Sequence, residues 1–161
     1  MKFFAILSVL VLIASIVGVG YLYMTASMVV VGLDVIAVEA STQPDLFRTL
    51  KEQVESGSIL GTAYTSQTWL EDASAYQFLT YTVRLRNNTF VTADMVELQV
   101  TPMSGDVLQI GDFTPKALPS HATGDIQATI LTDANMHSTR ELNVTYYVWG
   151  LPFTLRTICG Q

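Results

Sequence analysis

One cysteine in 161 residues cannot form an internal disulfide, so any domain in this chain must stand on its apolar core. Cys159 lies two residues from the end, which leaves an incidental thiol or an intermolecular bridge. No cysteine follows the N-terminal apolar run to accept a lipid. Histidine is almost as scarce. His121 and His137 are the only two, and neither has a second His at i+3 or i+4, so a zinc site would need distant help from Asp133 or Asp112. Charge is sparse at 14% of residues, and basic charge is sparsest, with 8 Lys and Arg against 14 Asp and Glu. That balance argues against nucleic acid and against electrostatic adsorption to an anionic membrane. Catalytic signatures are missing too. There is no Gly-x-Ser-x-Gly elbow, phosphate loop or dinucleotide fingerprint, and the adjacent Ser120 and His121 have no readable orienting acid. The expectation is a non-enzymatic chain without a cofactor.

What the sequence does have begins at once. Residues 3–24, FFAILSVLVLIASIVGVGYLYM, carry no charge and are long enough to cross ~30 Å of hydrocarbon as a helix. Tyr21 and Tyr23 fall where an interfacial aromatic belt would lie. A retained anchor and a cleaved signal peptide both fit, since Gly18-Val19-Gly20 offers small residues for cleavage. Lys2 precedes the run and no basic residue follows before Arg48, which predicts a cytoplasmic N-terminus and an outer C-terminal domain. Ala14 and Gly18 form a small-xxx-small pair that would let two such helices approach. The chain thus divides into an anchor and short spacer, 1–27, and an extracytoplasmic domain, 28–161.

That domain reads as mostly β. Residues 28–40 are rich in β-branched side chains and predict a first strand. Residues 41–57 predict the one soluble helix: Ser41 and Thr42 as caps, Pro44 in the first turn, Gly57 as the stop. Its Leu46, Phe47, Leu50 and Val54 share one face, as for a helix lying on a sheet. Leu79, Tyr81, Val83 and Leu85 alternate with polar residues, and Val96, Leu98 and Val100 do the same. With Asn87 and Asn88 between them, residues 77–101 read as a β-hairpin or a near relative. Further alternating runs at 126–130 and 142–148, with short segments at 107–110 and 153–158, bring the total to about seven or eight strands with one inserted helix. This is the pattern of a β-sandwich.

LTYTVRLRNNTFVTADMVELQV followed by LPSHATGDIQATIL resembles the extracytoplasmic immunoglobulin-like modules of bacteria. MVELQVTPMSGDVLQI with LNVTYYVWGLPF is similar to uncharacterised single-span membrane proteins of Gram-positive bacteria. The resemblance covers roughly residues 79–155 and its motifs are structural. It implies an immunoglobulin-like sandwich behind an N-terminal transmembrane helix, and no catalytic residues.

Several constellations remain. Asp106, Asp112, Asp125 and Asp133 all fall near turns, where they would meet around calcium or simply serve turn chemistry. Asn87-Asn88-Thr89 and Asn143-Val144-Thr145 match the glycosylation pattern, which matters only in a eukaryotic secretory route. If Leu142, Val144, Tyr146 and Val148 face the core, Tyr147 and Trp149 point away from it. With Phe153 they form a candidate partner surface, unless the 41–57 helix or a loop bearing Trp69 and Leu70 covers them. The sequence therefore points to a membrane-anchored interaction or assembly module of the cell envelope. It would contact the bilayer through residues 3–24 and a protein partner through its outer domain. A ligand- or metal-binding accessory domain at the outer face of the membrane is the alternative, and a hydrolase comes third.

Overall fold

The computed structural model describes residues 2–25, 27–111, 114 and 116–160. Helix α1, Lys2–Thr25, is apolar on every side, and its 19-residue window Phe3–Tyr21 buries nothing against the rest of the chain. A helix that is hydrophobic all round and unpacked suits a membrane span or a signal sequence. Then follow β1 (Met28–Glu39), α2 (Pro44–Ser56), β2 (Gly61–Ala63), β3 (Tyr76–Asn87), β4 (Asp94–Val100), β5 (Asp106–Ile110), β6 (Thr123–Asp133), β7 (Arg140–Val148) and β8 (Leu151–Cys159). They make two antiparallel sheets, β1-β3-β6-β5-β2 and β4-β7-β8.

The core lies between the sheets. Leu79, Tyr81, Val83 and Leu85 of β3 meet Val96, Leu98 and Val100 of β4 and Leu142, Val144, Tyr146 and Val148 of β7, all buried. Each such side chain contributes ~1.5–3 kcal/mol relative to exposure. A second cluster forms on the outer face of the five-stranded sheet, where Phe47, Leu50 and Val54 of α2 lie on Phe78, Leu108 and Leu131. The helix does rest on a sheet. It rests on the one opposite Tyr147 and Trp149.

Its N-terminus differs from the expectation. Ser41 and Thr42 cap nothing. They belong to a 3-10 turn, Ala40–Thr42, in which the Thr42 hydroxyl donates to the Glu39 carbonyl at 2.7 Å. Gln43 takes the cap position, because Pro44 at the first helical residue disfavours helical backbone before it. Gly57, at φ 68°, ends the helix in the left-handed conformation, and the Ser58 N–H donates back to the Gln53 carbonyl at 3.0 Å.

The larger correction concerns residues 77–101, which are not a hairpin. β3 pairs with β1 and β6, whereas β4 pairs with β7 in the other sheet. Residues 88–93 therefore carry the chain across the sandwich, and the Asn87 side chain organises that crossing. Asn87 is fully buried, and its amide donates to the carbonyls of Val91, Leu118 and Pro119 at 2.8, 2.9 and 3.1 Å. Its carbonyl oxygen accepts from the Thr89 N–H and hydroxyl at 2.9 and 2.7 Å. A left-handed backbone was the expected role of this asparagine. Its buried amide is the actual one.

The opposite end of the sandwich is held by charge. Arg140 of β7 forks onto Asp106 of β5, with Nη2–Oδ1 at 2.7 Å and Nε–Oδ2 at 2.9 Å, both side chains wholly buried. Arg140 also donates to the carbonyls of His137 and Thr139, and Asp106 accepts the Met103 N–H. Burial pushes the Asp106 carboxyl up, but the bonds from Arg140 and Met103 outweigh it and leave the group below its ordinary range.

Two outcomes are expected on unfolding the detergent-solubilised chain in urea. Asn87→Ala should cost ~1–3 kcal/mol for each group it orphans, and a loss below ~1 kcal/mol in total would show that the crossing holds without it. Asp106→Asn should cost ~3–5 kcal/mol by stranding a buried guanidinium. Because the folded carboxyl titrates low, the pair's contribution is complete above ~pH 4 and disappears as pH falls through the folded value. Stability should thus depend on acid pH less steeply in Asp106→Asn than in the parent. Parallel acid curves would argue against this role for the pair.

Candidate functional site

Antiparallel register sorts the connections to two ends. Met28 sits opposite Asn87, Arg86 opposite Thr123, Asp94 opposite Tyr147 and Val148 opposite Leu151. The junction with α1, residues 88–93, residues 119–122 and the β7–β8 turn therefore share one end, here called the helix end. The Arg140–Asp106 pair, the loop bearing Trp69 and the carboxylates Glu39 and Asp133 belong to the other.

The three aromatic residues singled out in the sequence do not form one patch. Val144 and Tyr146 are buried at 0% and 4%, as the alternation predicts, and Tyr147 on the other face is half-buried. Phe153 packs inward from β8, stacked on Tyr146 at 5.5 Å between ring centroids and touching Tyr23 of α1 at 5.2 Å. It joins the helix to the sandwich. The Tyr146 hydroxyl accepts from the Met28 N–H at 3.3 Å, adding a polar tie at the same junction.

Trp149 is the exposed member, at 61%. Neither α2 nor the 65–75 loop reaches it. Leu70 of that loop is buried against α2, while Trp69 is 55% exposed. With Gly150, Trp149 forms a two-residue hairpin turn with φ of 52° and 77°, a type I′ pattern that favours Asn-Gly. A bulky side chain in the left-handed region is uncommon and carries strain. The alternation that placed Trp149 on the outer face stops at Val148, and Gly150 is the one residue whose type announces the turn.

The metal and nucleophile candidates are dispersed. His121 lies at the helix end, edge-on to Phe90 at 5.5 Å, whereas His137 lies at the opposite end beside Arg140. Asp106 is committed to Arg140. Asp125 is paired with Arg84 at 2.8 and 2.9 Å, which lowers its carboxyl and raises the guanidinium. Asp133 accepts the Asn135 N–H in a turn. Asp112 lies outside the described residues. Among the described residues no three His, Cys, Asp or Glu gather as metal ligands. The Ser120 hydroxyl donates to the Thr89 carbonyl at 2.8 Å rather than to a base. Cys159 is buried, its thiol raised by that burial, and so faces the core rather than a second chain. Asn143 donates to the Thr101 hydroxyl at 2.8 Å, and Asn87 is buried, so neither glycosylation motif presents a free amide.

An open cleft of about 400 Å³ runs between β4 and the β2–β5 edge, bordered by Met95, Glu97, Gln99 and Gln109. Gln109 closes its floor by donating to the Leu98 carbonyl at 2.9 Å and accepting the Val100 N–H at 2.9 Å. The Tyr64 hydroxyl stands 2.7 Å from the same glutamine, and burial pushes its pKa well above the ordinary value. These polar atoms are occupied with each other, which makes the cleft a seam between sheets.

No protein-family model matches the chain, and no curated protein matches it. The expected kinship with Gram-positive single-span proteins therefore has no family match behind it. Among solved structures, the chain is similar to a FixG-related protein from Vibrio parahaemolyticus, at 12% identity and TM-score 0.37, over 81% of this chain and 94% of that one. It is also similar to the cupredoxin domain of amoB from Nitrosocaldus yellowstonii, at 11% identity and TM-score 0.35, over 84% of this chain and 88% of that one. At such identities neither likeness extends to ligand or activity.

Proposed function

We propose that this chain is a membrane-tethered, non-enzymatic interaction module of the cell envelope, with α1 retained as a signal-anchor and the sandwich outside the cytoplasm. The observation that carries the reading is the outer edge of β1, to which no strand among the described residues is hydrogen-bonded. This strand ends the five-stranded sheet, and Val29, Val31, Leu33 and Ile36 are 42%, 50%, 40% and 54% exposed along it. Long apolar edge strands pair with other chains unless charge or proline guards them, and Asp34 and Glu39 are the only charges in β1. The strand starts at Met28, so a partner seated on it would itself stand close to the membrane.

An immunoglobulin-like topology fits the same reading. With β2 set aside, β1-β3-β6-β5 and β4-β7-β8 follow the order ABED and CFG of a constant-type domain. β2 and α2 are then an insertion between the first two strands. Modules of this shape serve mainly as binding scaffolds, and that part of the reading is analogy.

A photo-crosslinking residue at Ile36, in intact membranes, should capture a protein that the same residue at Gln127 does not. Ile36→Lys, which guards the edge with charge, should abolish capture by a crosslinker at Val31. Equal capture from Ile36 and Gln127 would remove β1 as the contact. Orientation is checked separately. Protease added outside intact cells should digest a tag placed after Gln161, and protection until permeabilisation would reverse the topology.

A further inference from the structure

The helix end of the sandwich has a composition unlike the rest of the surface. Residues 27–28, 88–93, 117–122 and 148–153 lie at it and together contain no Asp, Glu, Lys or Arg, and the nearest charges, Arg86, Asp94 and Lys116, stand around its margin. The opposite end carries Glu39, Glu71, Asp72 and Asp133. Large apolar side chains stand out inside that margin: Phe90 at 66%, Trp149 at 61% and Leu151 at 43% exposure. The three described non-glycine residues with positive φ, Met95, His121 and Trp149, are all found here too. An exposed apolar group in a strained turn gains nothing from the fold itself. Of the exposed three, Trp149 alone stands in such a turn, where Asn would fit the backbone better.

The geometry names the occupant. Residues 26 and 27 alone separate α1 from β1, a reach of ~10 Å at most when fully extended. Tyr23, just past the Phe3–Tyr21 window, touches Phe153, so that part of β8 stands at the level where the helix leaves the hydrocarbon. Leu151 lies two residues nearer the helix end than Phe153, or ~7 Å at strand spacing, and Trp149 lies beyond it. The exposed tips thus project back toward the bilayer. Trp is the side chain that most favours the headgroup boundary, and charge is what that boundary excludes from its apolar side.

We propose that this end of the sandwich docks on the lipid interface of the membrane spanned by α1, with Trp149, Leu151 and Phe90 inserted beside the helix. The inference rests on α1 being a retained span. The docking is apolar, so the net negative charge of the domain does not oppose it. It leaves the β1 edge upright and open to a protein partner.

Full-length Trp69→Phe protein, in which Trp149 is the sole tryptophan, is reconstituted in phosphatidylcholine vesicles with and without brominated acyl chains. Trp149→Phe, which keeps only the distal Trp69, is the companion. Interfacial side chains sit ~5–10 Å into the headgroup–acyl boundary, so bromine should quench Trp149 about twofold and Trp69 hardly at all. Aqueous acrylamide should do the reverse. If the chain floats with the vesicles but acrylamide quenches both tryptophans alike, docking is overturned and the anchor stands. Shielding of Trp149 from both quenchers would put protein rather than lipid over the tip, and also overturns it. A chain that fails to float overturns the anchor and the docking together. Trp149→Asn, which suits the turn, should unfold no earlier in urea than the parent. A marked loss would make Trp149 a core residue and refute the proposal independently.

Discussion

The bidentate contact between Arg140 and Asp106 joins the two sheets, β7 to β5, at the end away from α1. Removing both charges from water costs several kcal/mol per ion, and the cost is offset only when every polar atom finds a partner. Here each does. Arg140 makes four hydrogen bonds, Asp106 accepts from Met103 as well, and no buried side-chain polar atom among the described residues is left unsatisfied. Such a contact tolerates little misplacement, so it fixes the position of β5 over β7 more sharply than apolar packing could. Asn87 plays the corresponding part at the other end, and Gln109 along the open side. The core supplies most of the stabilisation, and these four polar side chains, Gln109 among them only half-buried, select one arrangement of it.

That division of labour explains which parts of the fold were legible in the sequence. Local periodicity exposed β3 and β7 nearly end to end and the middle of β4 and β6, because a half-buried strand must alternate. The helix was legible from Leu46, Phe47, Leu50, Val54 and Gly57 for the same local reason. Pairing was not. Two adjacent alternating strands with asparagines between them look alike whether the chain turns back in one sheet or crosses to the other. The difference lies in the partners of the Asn87 amide, and Leu118 and Pro119 are some thirty residues away. The Arg140–Asp106 pair was hidden likewise, since Asp106 read as one of several turn aspartates and Arg140 as a polar flank.

The candidate site was legible only in part. Trp149 stood out as a surface aromatic, and the structure leaves it exposed. Its grouping with Tyr147 and Phe153 came from extending alternation past the end of β7, where a two-residue turn reverses the chain and returns Phe153 to the core. Phe90 and the apolar side chains along β1 escaped notice because exposure is not a property of sequence spacing. Val29, Val31, Leu33 and Ile36 read as ordinary strand residues until the sheet order left them at an edge.

The resulting molecule is polarised along one axis, and the tether makes weak contacts sufficient. Three exposed side chains would hold a free domain on a bilayer only marginally, much as a single short acyl chain does. With α1 in the same membrane, docking becomes an intramolecular event, and the tip meets the interface at an effective concentration set by a two-residue spacer. Little apolar area is then needed to fix the domain's orientation. A fixed orientation in turn decides which surfaces a partner can reach. In the proposed arrangement lipid takes up the helix end, while α2 covers part of the outer face of the five-stranded sheet. The edge of β1 would then stand clear of both, a strand offered at a constant height and angle to any chain in the same plane.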